Sequence, residues 1–275
     1  MLINFTKMHG LGNDFVVMDA INQVIDLSPE QIRYLADRHY GIGFDQLLLV
    51  RQAQGNADFR YIIYNADGSE VSQCGNGARC FALFVKEKKL TEQSVIRVET
   101  GSGELVLHID EENLVQVNMG VPRFKPAEIP LAFEEEKSEY SIEVSHQQVS
   151  FSALSVGNPH AVITVDDILK APLDTLGARL ENHPIFPQRA NIGFAQIVDE
   201  SLIKLRVYER GAGETLACGS GACAAAVAAI ELNQVKTPVS VELPGGKLTI
   251  DWGGRGQPVM MKGPANFVFD GIIEL

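Results

Sequence analysis

One long sequence pattern occurs twice in this chain. Residues 62–78, IIYNADGSEVSQCGNGA, align without a gap with residues 206–222, RVYERGAGETLACGSGA, at an offset of 144 residues. Three further islands recur in the same order at offsets of 143 to 150: GLGNDFVV with SVGNPHAV, IGFDQLL with IGFAQIV, and VETGSGELVL with VELPGGKLTI. Self-similarity at one period is the signature of repeated structural units, so the chain is predicted to contain two copies of one fold.

Each copy is predicted to be a mixed α/β (α+β) unit with a largely antiparallel sheet. Ser28, Pro29 and Gln31 have the pattern of a capped helix start, and Gly41 is placed to end that helix. Segments 96–110 and 239–252 alternate around Gly-rich turns, as hairpins do. The residues after each Cys-Gly-x-Gly-Ala are predicted to be helical. The second of these helices, apolar on most faces, is predicted to be buried and central.

The duplication predicts two domains. Residues 1–118 together with 264–275 are expected to form the first, and residues 119–263 the second. Each carries one copy of the cysteine pattern, at Cys74 and at Cys218. Segment 122–140 contains three prolines and an acidic run, so we expect a solvated connection there.

Net charge and the sequence motifs argue against several classes of partner and cofactor. The formal net charge is −12, from 23 basic and 35 acidic residues, and such a surface repels nucleic acid and anionic lipid. No basic, apolar leader opens the sequence, so a cytoplasmic protein with reduced thiols is expected. The cysteine spacings, C-x5-C and C-x4-C, do not fit a zinc or redox motif. No nucleotide-binding loop is present, and neither a metal nor a cofactor is predicted.

The repeated cysteines have the context of reactive groups. A Cys-Gly-x-Gly before a helix places the thiol beside unpaired backbone N–H groups, which bind anions and lower a thiol pKa. Cys74 and Cys218 are therefore candidate catalytic residues, and each would lie beside a carboxylate cradle. Cys80 and Cys223 lie inside the helices at offsets that do not match, and we interpret them as buried structural residues.

Two such motifs in pseudo-symmetric halves favour one type of chemistry. Inverting a stereocentre next to a carboxylate requires a base on one face of the carbon and an acid on the other. Two cysteines facing each other across a cleft between the halves could exchange these roles when the reaction reverses. The paired helix N-termini would stabilise the negative charge that develops on the carboxylate.

The differences between the copies indicate an amino acid substrate. Asn65-Ala66 in the first copy becomes Glu209-Arg210 in the second, and these opposite charges could bind an ammonium and a carboxylate. His160 replaces Phe15 and could tune a nearby thiolate. Neutral polar candidates recur around these positions: Asn13, Gln46, Asn76, Asn158 and Asn191.

Together these motifs resemble the diaminopimelate epimerase family over nearly the whole chain. They are MHGLGNDFVV, GIGFDQLL, NADGSEVSQCGNGARC, GNPH, RVYERGAGET and ACGSGACA. The resemblance implies a cofactor-independent epimerase that interconverts LL- and meso-2,6-diaminopimelate in lysine and peptidoglycan-precursor synthesis. It also implies a homodimer and two pseudo-symmetric domains, each a barrel-like, mostly antiparallel sheet around a central helix.

The resemblance also assigns residue roles. Cys74 is implied to be the proton donor and Cys218 the acceptor, with labels that exchange with reaction direction. His160 and Glu209 are implied to influence the thiol pKa values. Phe269 stands where a tyrosine linked to dimer contact often occurs, and Leu216 stands where a polar residue is common. The implied substrate contacts are Asn13, Gln46, Asn65, Gly75, Asn76, Asn158, Asn191, Glu209, Arg210, Gly219 and Ser220.

Two alternatives stay open at this point. One is a two-cysteine racemase of another amino acid, such as proline or hydroxyproline. The other is a non-catalytic amino acid binding protein or thiol redox protein, in which Cys74 and Cys218 would form a reversible disulfide. In an epimerase that disulfide would be inactivating, because a sulfur–sulfur bond of about 2 Å leaves no room for a substrate carbon.

Overall fold

A computed structural model describes residues 2–71 and 74–275, so Ser72 and Gln73 of the repeated pattern lie outside the described residues. Its strands are β1 (Leu2–Gly10), β2 (Asn13–Asp19), β3 (Gln46–Gln52), β4 (Phe59–Asn65), β5 (Glu70–Val71), β6 (Val95–Thr100), β7 (Gly103–Ile109), β8 (Val115–Asn118), β9 (Tyr140–Val144), β10 (Gln147–Ser155), β11 (Pro159–Thr164), β12 (Asn191–Asp199), β13 (Leu202–Glu209), β14 (Gly213–Glu214), β15 (Val239–Leu243), β16 (Gly246–Trp252), β17 (Val259–Gly263) and β18 (Asn266–Glu274). Its helices are α1 (Pro29–Ala36), α2 (Gly75–Glu87), α3 (Ala178–Glu181) and α4 (Gly219–Glu231).

The chain divides into two compact units. The first contains Met1–Val117 and Gly263–Leu275, and the second contains Asn118–Lys262. Within residues 2–71 and 74–275, no helix has the length and apolar character to span a bilayer.

The sheet of the first unit curves around α2. Its strand order is β18, β1, β2, β3, β4, β6, β7, β8, with the short β5 also paired to β4. Only the β2–β3 and β4–β6 neighbours in this order are parallel. Helix α2 packs against β1, β2, β3 and also β7. Because the helix contacts strands at both ends of this order, the twisted sheet must wrap around it.

The second unit repeats this arrangement around α4. Its strand order is β9, β10, β11, β12, β13, β15, β16, β17, with β14 on β13. Parallel pairs occur at the equivalent places, β11–β12 and β13–β15. Helix α4 contacts six of these strands, and the run from Ala222 to Ala229 is buried. Its alanines present little bulk, so strands can approach on every side. The predicted fold class, including the buried central helix, is confirmed.

Strand pairing fixes which residues of the two copies are equivalent. Tyr64 pairs with Glu70, and Tyr208 pairs with Glu214, as the aligned pattern predicts. The match of IGFDQLL with IGFAQIV is wrong. Phe15 pairs with Gln46 across neighbouring strands, and His160 pairs with Asn191 in the same way. Gln46 is therefore the residue of the first copy that is equivalent to Asn191 in the second, at the common offset of 145. Residues 42–45 precede their strand, whereas residues 192–198 lie inside theirs.

Two local expectations fail for packing reasons. Helix α1 begins with the predicted capping box of Ser28 and Gln31 but ends at Ala36, before Gly41. Gly41 instead lies against the helix end, where a Cβ would be 2.1 Å from the Tyr34 carbonyl oxygen. Segment 122–140 is solvated only in part, because Ile129 and Leu131 belong to the apolar core of the second unit.

Candidate active site

Cys74 caps the N-terminus of α2. Its backbone is extended, with φ −146° and ψ 115°, and its Sγ accepts a hydrogen bond from the Gly77 N–H at 3.4 Å. The thiol is half-buried. The N–H groups of the first helical turn have no partner within the helix, so an anion can bind beside this sulfur.

Cys218 occupies the same position on α4. It is the N-cap residue, with φ −112° and ψ 102°, and it is 4% exposed. Its Sγ lies 3.7 Å from the Ser220 hydroxyl. Gly221 must remain small, since a Cβ there would be 3.1 Å from the sulfur. Each unit therefore presents one thiol at the start of its central helix, as the repeat predicts.

The pKa of Cys218 is raised, not lowered. Burial is the largest cause, and the negative charge of Glu209 adds to it. Hydrogen bonds from the Gly221 N–H and the Ser220 hydroxyl oppose the rise but are outweighed. The expectation that the helix N-terminus lowers the thiol pKa is therefore wrong for Cys218, because desolvation of the thiolate is the larger effect.

The polar side chains predicted for the site in the first unit form two hydrogen-bonded pairs. Asn76 donates through Nδ2 to Asn13 Oδ1 at 3.2 Å, and Gln46 donates through Nε2 to Asn65 Oδ1 at 3.0 Å. The Asn13 amide is oriented in turn by Asp45, whose Oδ2 accepts from Nδ2 at 2.8 Å. The first pair lies at the start of α2, to which Asn76 belongs, and the second pair joins the neighbouring strands β3 and β4.

The second unit makes an equivalent cluster around Cys218. Asn158 donates through Nδ2 to the Ser220 hydroxyl at 3.3 Å, and its Oδ1 lies 3.0 Å from His160 Nε2. Asn191 is buried, and its Oδ1 accepts from the Arg210 N–H at 2.9 Å. The exposed Arg210 side chain donates through Nη1 to the Gln188 carbonyl at 2.9 Å.

His160 is neutral at physiological pH. Burial lowers the pKa of His160 to about 3, and the positive charge of Arg210 contributes to this depression. An uncharged imidazole cannot stabilise a thiolate by its charge. Any effect of His160 on Cys218 must therefore act through hydrogen bonding and through its contact with Asn158.

Sequence reasoning missed three polar residues that support these clusters. Asp45 orients Asn13, and Thr215 donates a hydrogen bond to Glu209. Arg79 is fully buried on α2. Arg79 could have been found from the repeat itself, because the offset of 144 aligns it with Cys223, a change from a cation to a small apolar residue.

The other predicted residues lie either inside the helices or on the exposed surface. Cys80 and Cys223 are buried, and burial raises the pKa of Cys80 to about 12, which supports their structural interpretation. Phe269 lies on β18, 49% exposed, with its ring 6.0 Å from that of Phe5. Leu216 is exposed. Among the described residues, no group of three or more His, Cys, Asp or Glu side chains is arranged to hold a metal ion.

Comparison with known proteins agrees with the fold and the sequence motifs. The family model for diaminopimelate epimerase matches residues 5–125 and 152–268. The diaminopimelate epimerase of Ectopseudomonas mendocina (strain ymp) is 56% identical over 276 residues, covering all of both chains. That of Nitrosospira multiformis is 56% identical and covers all of this chain and 99% of the relative.

Solved structures with low sequence identity share the fold. A PhzF-family phenazine biosynthesis protein of Bacillus anthracis has a TM-score of 0.71 at 16% identity, with all of both chains covered. A hydroxyproline epimerase of Agrobacterium vitis has a TM-score of 0.69 at 16% identity, covering 99% of this chain and 92% of that one.

The duplicated sheet-around-helix units place the protein in the class of folds shared with the PhzF-family protein and the hydroxyproline epimerase. Within that class, the full-length similarity is decisive. The chain belongs to the diaminopimelate epimerase family.

Proposed function

We propose that this protein is an isomerase that interconverts LL- and meso-2,6-diaminopimelate, and so acts in lysine and peptidoglycan-precursor biosynthesis. Full-length relatives at 56% identity bear the name diaminopimelate epimerase. The observation that carries the chemical part of the proposal is the repeated thiol: Cys74 and Cys218 each cap a buried helix.

In the proposed mechanism, one cysteine acts as a thiolate base and the other as a thiol acid. The thiolate removes the α-proton from one face of the carbon, and the thiol returns a proton to the opposite face. The electron pair of the broken C–H bond is delocalised into the substrate carboxylate. Backbone N–H groups of the first turns of α2 and α4 stabilise that charge. After one turnover the two cysteines have exchanged protonation states.

The other candidate residues are proposed to bind the substrate. Arg210 suits a carboxylate because its guanidinium can donate two parallel hydrogen bonds, and the exposed side chain can reach a ligand. Glu209 suits the ammonium group. Gly75 and Asn76 in one unit, and Gly219 and Ser220 in the other, are proposed to cradle the reacting carboxylate. The amides proposed to complete the site are Asn13, Gln46, Asn65, Asn158 and Asn191.

The setting of the enzyme follows from the same chemistry. Two thiols that must stay reduced suit the cytoplasm, where thiols are maintained in that state, and we place the enzyme there.

We also propose a homodimer formed through β18. This strand carries exposed apolar side chains including Phe269, and among the described strands it pairs with β1. Its other edge can pair with the same strand of a second copy in a closed two-fold contact.

Proton exchange in D2O tests the reaction directly. Reduced protein is mixed with LL-diaminopimelate and followed by NMR and chiral chromatography. We expect deuterium at one α-carbon together with meso product, and loss of both in Cys74→Ala and in Cys218→Ala. Cys223→Ala is the matched control, since it removes a buried thiol from α4 and should retain turnover.

The same assay separates the alternatives. If LL-diaminopimelate keeps its α-proton while proline or hydroxyproline is inverted, the protein is a racemase of another substrate. If no amino acid is turned over and a Cys74–Cys218 disulfide forms reversibly, the redox interpretation replaces the proposal. For an epimerase, oxidation should abolish turnover and reductant should restore it.

A further inference from the structure

The two thiols lie in different electrostatic surroundings, and Arg79 is the main difference in the first unit. This residue is fully buried on α2. Its Nε donates to the Pro264 carbonyl at 3.1 Å, and its Nη1 lies 3.5 Å from the Gly75 carbonyl oxygen. The side chain therefore folds back towards the start of the helix, the direction in which helical Cβ bonds point. Its guanidinium lies beside the turn that Cys74 caps.

The shape of the unit makes room for this cation. A Cβ on Gly10 would lie 3.0 Å from Arg79 Nη2, so glycine at that position lets β1 pass close to the guanidinium. A guanidinium stays protonated in proteins. Away from water the effective dielectric constant is lower, so this charge interacts more strongly with a group at a given distance than it would at the surface.

Neighbouring acids respond to this charge. Burial raises the pKa of both Tyr61 and Cys80, and the Arg79 charge opposes the rise at both groups. The Tyr61 hydroxyl donates to the Cys74 carbonyl oxygen at 3.4 Å. The field of Arg79 therefore extends over the groups that surround Cys74.

Other ionisable groups on the strands that pack against α2 point elsewhere. Strand alternation puts Met8, Phe15 and Leu48 towards the helix, and their sequence neighbours on the opposite face. Lys7 and Asp14 pair with each other there at 2.5 Å. His9 lies next to the β1–β2 turn, and Asp19 caps the turn after β2. Arg51 donates to the Ile25 carbonyl oxygen. On β7, Glu104 and His108 lie on the exposed face.

The second unit has the opposite charge beside its thiol. The residue aligned with Arg79 is Cys223, and the residue aligned with Asn65 is Glu209. Burial raises the pKa of Cys218, and the carboxylate of Glu209 raises it further. One thiol thus has a buried cation nearby and the other an anion.

We propose that Arg79 is a positioning residue that holds Cys74 as the thiolate of the resting enzyme, while Cys218 carries the proton. This inference rests on the proposed function, which requires one base and one acid at the start of each turnover. The repeated motif alone is symmetric and does not choose between the two cysteines. The charges of Arg79 and Glu209 determine which of the two thiols is ionised.

Titration of each thiol by itself tests the assignment without substrate. Two proteins are labelled with 13Cβ-cysteine: one retains only Cys74, the other only Cys218, and the remaining cysteines are alanine. The Cβ chemical shift is followed from pH 5 to 11. We expect Cys74 to ionise at least one pH unit below Cys218. Ionisation of Cys218 first would overturn the proposal.

Variants of Arg79 then test its role. Arg79→Met in the Cys74-only protein should raise the thiol pKa by one unit or more, a tenfold loss of thiolate at pH 7, whereas Arg79→Lys should keep most of the shift. In the full enzyme, Arg79→Met should lower kcat/KM about tenfold at pH 7 and much less at pH 9. A merely structural role would lower the melting temperature without moving the titration.

The outcomes separate this inference from the proposed function. An unchanged Cys74 titration in folded Arg79→Met, with epimerase turnover intact in wild type, refutes the inference alone. The expected titrations without diaminopimelate turnover refute the proposed substrate alone. If both Arg79 variants fail to fold, the order of the two wild-type thiols still decides the assignment.

Discussion

Asn158 donates through Nδ2 to the Ser220 hydroxyl at 3.3 Å. The same relationship exists in the other unit, where Asn76 donates to Asn13 at 3.2 Å. In both, an asparagine at a β-hairpin turn, where the second strand begins, is bonded to the second residue of the central helix, two positions after the cysteine, although donor and acceptor are exchanged. This contact fixes the loop that carries the thiol against the sheet, and it recurs although Asn76 and Ser220 are chemically different.

We predict that Asn158→Ala lowers kcat/KM about tenfold and lowers the free energy of unfolding by about 2 kcal/mol. The substitution removes the bond to Ser220 and leaves the buried His160 without its partner, at about 1 kcal/mol for each neutral hydrogen bond. Steady-state kinetics and urea denaturation measure the two effects. The control is Asn56→Ala, an exposed position in the loop between β3 and β4, and equal kinetics for the two variants would contradict the role given to Asn158.

The buried His160 should make the protein acid-sensitive. Its pKa is about 3 in the folded state, against the ordinary histidine value of 6.5 that applies to the unfolded chain. Between these values the unfolded chain binds the proton and the folded chain does not, so stability is full above pH 6.5 and falls as the pH falls towards 3. The slope contributed is on the order of 1 kcal/mol per pH unit.

Urea denaturation at pH 7, 6, 5 and 4 measures this slope. In His160→Gln, whose side chain cannot titrate, we expect the free energy of unfolding to fall less steeply with decreasing pH than in wild type. His146→Gln, at an exposed side chain, should leave the slope unchanged. Identical slopes in His160→Gln and wild type would show that the imidazole already binds a proton when folded.

Gly77 should not tolerate a methyl group. A Cβ there would lie 2.2 Å from the Tyr61 hydroxyl oxygen, and the Tyr61 side chain is buried, with its ring 4.9 Å from that of Phe81. An exposed helical Gly→Ala change usually stabilises by up to about 1 kcal/mol. Here we predict a loss of about 2 kcal/mol from overpacking. Tyr61→Phe should recover part of that loss when combined with Gly77→Ala, and strictly additive effects in denaturation would contradict the clash.

Much of this architecture could be predicted because it depends on patterns of residues that are close together in the sequence or that repeat at a fixed offset. The offset between Cys74 and Cys218 predicted two equivalent units, and the apolar run after Cys218 predicted a buried helix. The capping box at Ser28 depends on residues three apart, so sequence alone located the start of α1. The end of α1 depends on Gly41 packing back against the helix, which is a tertiary contact.

The site was harder to predict wherever burial decides the outcome. The helix start alone predicted a lowered pKa for Cys218, yet the desolvation that raises it comes from the whole sheet around α4. The equivalence of Gln46 with Asn191 follows from strand register, which residue similarity misassigned. Arg79 was overlooked because a buried cation has no local signature, although the comparison of the two copies marked it.

The proposed dimer can be tested on β18. Phe269 is about half exposed, packs edge-on against Phe5, and is surrounded on the same strand by exposed Phe267, Val268 and Ile272. A charge at an edge strand disfavours pairing with a second strand. We therefore expect Phe269→Glu to weaken self-association about 30-fold or more, since a central interface residue contributes about 2 kcal/mol.

Sedimentation velocity across a concentration series measures this association. Leu169→Glu is the matched control, because it adds the same charge at a strongly exposed leucine of the second unit and should leave the dimer intact. Thr6 and Lys88 bind Asp270 on the same strand, so circular dichroism must show that β18 remains folded in the variant. Dimers of wild-type affinity in a folded Phe269→Glu protein would exclude β18 as the interface, and a monomeric wild type would exclude the homodimer itself.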